Sequence, residues 1–119
     1  MDQGLEYALE LFEPLGEVSH RRMFGGVGFF RHGLMFALTA YDEIYLKTDD
    51  ENRVTFEDAG CKPFVFEAQG VEKETSYWSL PEQAHDDEDE RMIWLDQAWQ
   101  AALGADAAKP PAKRKLKEF

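Results

Sequence analysis

Apolar residues recur at Leu5, Ala8, Leu9 and Phe12, the i, i+3, i+4, i+7 spacing of a helix with one buried stripe. Asp2 is placed to cap it, and Pro14 with Gly16 ends it. Past Val18 the period changes. Residues 20–24, 27–31, 34–38 and 44–47 read as strands, separated by Gly25-Gly26, His32-Gly33 and Tyr41-Asp42-Glu43. Connections this short join antiparallel neighbours, because a parallel pair needs a long crossover. Residues 49–59 read as a short helix. Its first residues are acidic, which suits the positive end of a helix dipole, and Gly60 stands at its C′ position. Strands at 63–68 and 75–79 flank a Gln69-Gly70 loop. A last helix runs from Glu82 or Asp86 to Leu103, with Gly104 as its stop.

The order α-β-β-β-β-α-β-β-α predicts an α+β fold: a two-layer antiparallel sheet with helices packed on one face and solvent on the other. Residues 1–104 form the domain. Residues 105–119, with two prolines, small residues and charge, read as a flexible basic tail. At 119 residues and 44% hydrophobic content, one modest core is expected rather than disorder. No apolar run approaches the roughly 20 residues that span a bilayer. The first six residues show neither a basic nor an apolar export region, so the expectation is a cytoplasmic protein without membrane contact.

The net charge of −11 is uneven. The last eleven residues carry a net +4, and the 8 basic and 23 acidic residues of 1–108 leave −15. A body so acidic repels phosphate backbones unless a local patch overcomes the field. Nucleic acid is therefore expected only weakly, through the tail residues Lys113, Arg114, Lys115 and Lys117. The same tail has an alternative use, folding back onto its own acidic body.

Glycines crowd the segment Arg21-Arg22-Met23-Phe24-Gly25-Gly26-Val27-Gly28. Gly25, Gly26 and Gly28 make a candidate anion nest, with Arg21 and Arg22 supplying charge. No Lys-Ser/Thr follows, so this is not a nucleotide phosphate loop. A tight hairpin with a bulge or a crowded strand crossing accounts for the same glycines. Arg21 and Arg22 are adjacent on a strand and point to opposite faces, one toward the helix layer with a carboxylate and one toward a partner. Tyr77 and Trp78 alternate likewise, so one of them faces outward as a candidate contact. The acidic run 86–90 lacks the glycine and spaced glutamate of a calcium loop and fits a helix N-terminus. His20, His32 and His85 lack ligand spacing, so no metal is expected. Cys61 has no neighbouring base in sequence and reads as structural; alone, it makes no internal disulfide. No catalytic set stands out, and no cofactor is expected.

Arg22-Met23-Phe24-Gly25-Gly26, Gly28, Phe29-Phe30, Gly33-Leu34-Met35-Phe36 and Tyr45-Leu46-Lys47 together resemble the N-terminal domain of the TfoX/Sxy family of bacterial competence regulators. The likeness continues through Ala59-Gly60-Cys61-Lys62-Pro63-Phe64, Tyr77-Trp78 and Leu80-Pro81, and covers about residues 5–103. It implies a two-layer domain with an antiparallel sheet, often dimeric. It also implies regulation of competence genes, in which full-length members act as coactivators with a cyclic-AMP-responsive transcription factor. The family supplies no catalytic residue. The expectation is a non-enzymatic regulatory module acting through protein contacts, with a homodimer as a further partner state. The alternative is a small-ligand-binding protein or an enzyme with a pocket at the glycine-rich hairpin.

Overall fold

The computed structural model describes residues 3–23 and 25–115. Asp2, Phe24 and Lys117 carry sequence readings that lie outside the described residues. Helix α1 (Gln3–Phe12) leads through a 3-10 turn at Glu13–Leu15 into four strands, β1 (Ser19–Met23), β2 (Gly26–Arg31), β3 (Leu34–Ala40) and β4 (Glu43–Lys47). Helix α2 (Arg53–Asp58), strands β5 (Pro63–Ala68) and β6 (Val71–Ser79), and helices α3 (Gln83–Asp86) and α4 (Glu88–Ala107) follow. All six strands form one antiparallel sheet in the order β1-β2-β3-β4-β6-β5, so the fold is α+β.

The hairpins turn where the sequence allows a positive φ. His32 and Gly33 have φ 51 and 80, Tyr41 and Asp42 have 54 and 60, and Gln69 and Gly70 have 55 and 77. Paired positive φ values are the mark of two-residue turns whose twist matches the flanking strands. Gly26 meets a different demand: a Cβ there would fall 1.8 Å from the Thr39 carbonyl oxygen, so β2 approaches β3 too closely for any side chain.

A bulge in β3 decides which residues are core. Phe29 pairs with Ala37 and Phe30 with Met35, leaving Phe36 as the extra residue. Leu34, Phe36 and Ala37 therefore all join the helix-side core, while Met35, Leu38 and Ala40 face the other way. The helix side is packed by Phe12 against Phe29 and Phe36, and by Phe56 against Trp94. The opposite face carries a smaller cluster of Leu38, Ala40 and Phe64, partly covered by Met35, Tyr45, Phe66 and Tyr77.

Four boundaries differ clearly from the sequence reading. Helix α2 starts at Arg53, not Asp49, and has no acid in its first turn, because Asp49 and Asn52 exchange side-chain-to-backbone hydrogen bonds in the turn before it. Strand β6 starts at Val71, not Thr75, because Glu72-Lys73-Glu74 pairs with β5 in an exposed ribbon whose polar residues show no buried alternation. The last helix is broken at Asp87, whose extended backbone (φ −116) lets its side chain accept the Glu90 N–H at the head of α4. Nor does Gly104 stop α4. It has open space around it, the helix continues to Ala107, and the Ala108 N–H still donates to the Gly104 carbonyl. Its propensity cost of about 1 kcal/mol is outweighed by the buried Ala101, Ala102 and Asp106 on the same helix.

Candidate functional site

Strand β1 is a sheet edge, and its first four residues are exposed. Arg21 and Arg22 point to opposite faces, as the strand period requires. Arg21 pairs with Gly28 in register and lays its guanidinium 5.0 Å from the centre of the Phe30 ring, on the face without helices. Arg22 pairs with Val27, a core residue on the helix side, and stays exposed. Among the described residues neither arginine forms an ion pair, so the expected carboxylate partner is not what positions Arg22.

The glycines and the arginines separate. Gly28 leaves room for the ends of Met23 and Met35 on the helix-free face, its Cβ position lying 2.8 Å from the Met23 sulfur. Gly25 and Gly26 line a recess of about 220 Å³ with Tyr7, Tyr41, Asp42 and Glu43. Its charged walls are carboxylates, so the local field there attracts cations, and neither arginine lines it. The two-residue Tyr41-Asp42 turn and the start of α1 build that recess.

Trp78 and Tyr77 also divide. Trp78 is buried on the helix side, whereas Tyr77 lies on the helix-free face, partly buried. The Tyr77 hydroxyl donates to the Met35 carbonyl at 3.4 Å, and burial raises its pKa well above the ordinary value. Lys47, opposite Tyr77 in register, holds its ammonium 5.2 Å from that ring and donates to the Ser76 hydroxyl at 2.7 Å. Burial, then the neighbouring Lys109, lower the Lys47 pKa. The tail enters here. Buried Asp106 accepts the Lys115 backbone N–H at 2.7 Å, and Lys109 approaches the same carboxylate at 3.8 Å. That anchor places Lys115 beside Ser19, His20, Arg21 and Phe30. Lys113 and Arg114 stay on the short 3-10 turn and its exit, where Arg114 donates to the Lys109 carbonyl.

The remaining reactive groups serve cohesion. Cys61 is buried, and desolvation raises its thiol pKa, the wrong direction for a nucleophile. His85 accepts or donates across 2.8 Å to the Tyr7 hydroxyl and stacks on its ring. No group of three metal-ligating side chains occurs among the described residues, and none of their helices is long and apolar enough to cross a membrane.

Sequence reading missed two positions. Arg91, inside an acidic and aromatic helix, is buried and donates to the carbonyls of Leu11, Ala84 and His85. Lys47 was read only as the end of a strand. Its signal was the alternation in Glu43-Ile44-Tyr45-Leu46-Lys47, which puts it on the same face as Tyr45.

An open six-stranded antiparallel sheet, helices on one face, and a glycine-bearing first hairpin define the class. The family model for the TfoX N-terminal domain matches residues 10–102, and the chain belongs to that family. Among curated proteins, it is 32% identical over 70 residues to the DNA transformation protein TfoX1 of Aliivibrio fischeri. That stretch is 59% of this chain and 34% of the relative, so the likeness spans about a third of the relative's length.

Proposed function

We propose that this chain is a regulatory binding module for DNA-uptake (competence) genes, acting through protein contacts with the transcription machinery rather than by catalysis. The observation that carries this reading is membership of the TfoX N-terminal domain family, with a relative named for DNA transformation. The surface supports it: among the described residues exposed β1 is a sheet edge with no strand on its outer side, which a partner strand can extend with Arg22 to set the register by charge. The test has two parts. Transcripts of DNA-uptake genes are measured with the gene present and deleted, and the tagged chain is recovered from native extract with and without nuclease. A fall in those transcripts on deletion, with nuclease-resistant recovery of a polymerase subunit or transcription factor, supports the proposal. Unchanged transcripts reject the regulatory role, and loss of every such protein on nuclease treatment rejects direct protein contact.

A second reading rests on the carboxylate-walled recess at Gly25 and Gly26, which suits a small cationic ligand. Stabilisation by a polyamine that disappears in Asp42→Asn would support it; an unchanged Tm with polyamine would remove it.

A further inference from the structure

The sheet sorts charge between its faces. On the helix-free face the strands place Arg21, Lys47 and Lys73, against the single acid Glu43. Glu67, Glu72 and Glu74 stand on the other side of the β5–β6 ribbon. In a chain of net charge −11, this is a local reversal of the field.

Cations of this face stand at the two ends of a line of apolar groups, each over an aromatic ring. The Arg21 guanidinium lies over Phe30, Phe30 faces Met35 across the β2–β3 pair, Tyr77 bonds the Met35 carbonyl, and Lys47 lies over Tyr77. From Arg21 on β1 to Lys47 on β4 the line crosses three strand spacings, about 14 Å. A recess of about 380 Å³ at one end is lined by Ser19, His20, Arg21, Phe30, Gly33 and Lys115, with no carboxylate among its described lining residues. A cleft of about 170 Å³ at the other end brings Lys47 and Lys109 beside Tyr77. Asp106 also lines that cleft, but its carboxylate is engaged by the Lys115 N–H and by Lys109. Lys47 is thus half-buried, with the cation Lys109 and the acid Asp49 as its charged neighbours.

We propose that this line is a binding track for single-stranded nucleic acid, with phosphates at the two cationic recesses and bases against Phe30, Met35 and Tyr77. An acidic peptide satisfies the cations alone. A polymer that joins flat apolar bases to phosphates also matches a ring beside a cation at each end, and every base has a face that can stack. A duplex hides those faces, so it gains only the charge contacts. The proposal is independent of the competence role and of the protein-contact edge.

The test is fluorescence anisotropy of the full chain with a labelled oligothymidylate of about 15 nucleotides, several times the length of the track. The sequence-matched duplex and polyglutamate serve as competitors. Arg21→Glu and Arg22→Glu make the same charge change on opposite faces of one exposed strand, and thermal melting checks that both fold. Binding is expected to weaken about tenfold or more in Arg21→Glu and by less than about twofold in Arg22→Glu. Four cations (Arg21, Lys47, Lys109 and Lys115) give a log–log salt slope of about −3. Lys47→Met should weaken binding while leaving the edge strand untouched. The proposal is overturned if the oligonucleotide fails to bind at low salt, or if the two arginine variants weaken it equally. It is also overturned if duplex competes as well as single strand. Polyglutamate competing as well as the strand would reassign the track to an acidic protein.

Discussion

Arg91 is the position where one substitution tests the packing account most sharply. Its side chain is 8% exposed, and among the described residues it forms no ion pair. Instead Nε donates to the Leu11 carbonyl at 3.2 Å, and Nη1 donates to Ala84 and His85 at 3.1 Å each. All three acceptors lie in the last turns of α1 and α3, where carbonyls lack helical partners. One guanidinium therefore closes two helix ends and holds both against α4. Arg91→Met keeps the apolar stem and removes the donors. Hydrogen bonds from a charged group contribute about 1.5–3 kcal/mol each, and three of them cannot be simply added. Removing the buried charge itself returns part of the loss. A net destabilisation of about 3 kcal/mol follows, roughly 12 °C in Tm for a domain of this size. Arg91→Ala adds a cavity and should lose about 4–5 kcal/mol. Arg91→Lys keeps the charge but not the fork, and should fall between wild type and Met. Chemical denaturation with far-UV circular dichroism reads all three. A Met variant within about 0.5 kcal/mol of wild type would refute the reasoning, as would a Lys variant less stable than Met.

Glycine substitutions should diverge in sign: Gly26→Ala drives a Cβ into the Thr39 carbonyl and should cost more than about 3 kcal/mol, whereas Gly104→Ala, in open helix, should gain up to about 1 kcal/mol. Equal Tm shifts in the two variants would contradict this. Cys61 should resist a thiol reagent at pH 8 in the folded chain and react promptly in denaturant, since burial both shields the sulfur and raises its pKa. Rapid native labelling would show the thiol accessible. Burial also raises the Tyr77 pKa from its ordinary 10, so the folded state prefers the neutral phenol. That contribution is complete below pH 10 and is lost as pH rises toward the folded value. Tyr77→Phe should flatten the alkaline fall in stability above pH 10. An identical fall in both proteins would exclude Tyr77 as its source.

Much of the fold could be read from the chain because two periods are clean in it. Leu5, Ala8 and Phe12 gave a helix, and glycine or Asx at Gly33, Asp42 and Gly70 gave the turns that force antiparallel neighbours. What escaped the reading depends on contacts distant in sequence. The β3 bulge at Phe36 leaves no trace in a run of apolar residues that reads the same from either face. Gly104 carries the local signal of a stop, and packing of its neighbours overrides it. Arg21, Arg22, Tyr77 and Trp78 were legible as pairs that split between faces, yet the sequence could not say which member went where. The register of β1 on β2, and of β4 on β6, decides that. The track from Arg21 to Lys47 was invisible for the same reason: its members come from five strands, and only the sheet order aligns them.

The central claim is that this chain regulates DNA-uptake genes through protein contacts at the exposed β1 edge. The most direct measurement is a transcriptional reporter for those genes in the native host, with the chromosomal copy intact, deleted, or carrying Arg22→Glu at matched protein levels. The account predicts that deletion lowers the reporter strongly and that Arg22→Glu lowers it in the same direction. Full reporter activity in the deletion strain would contradict the account.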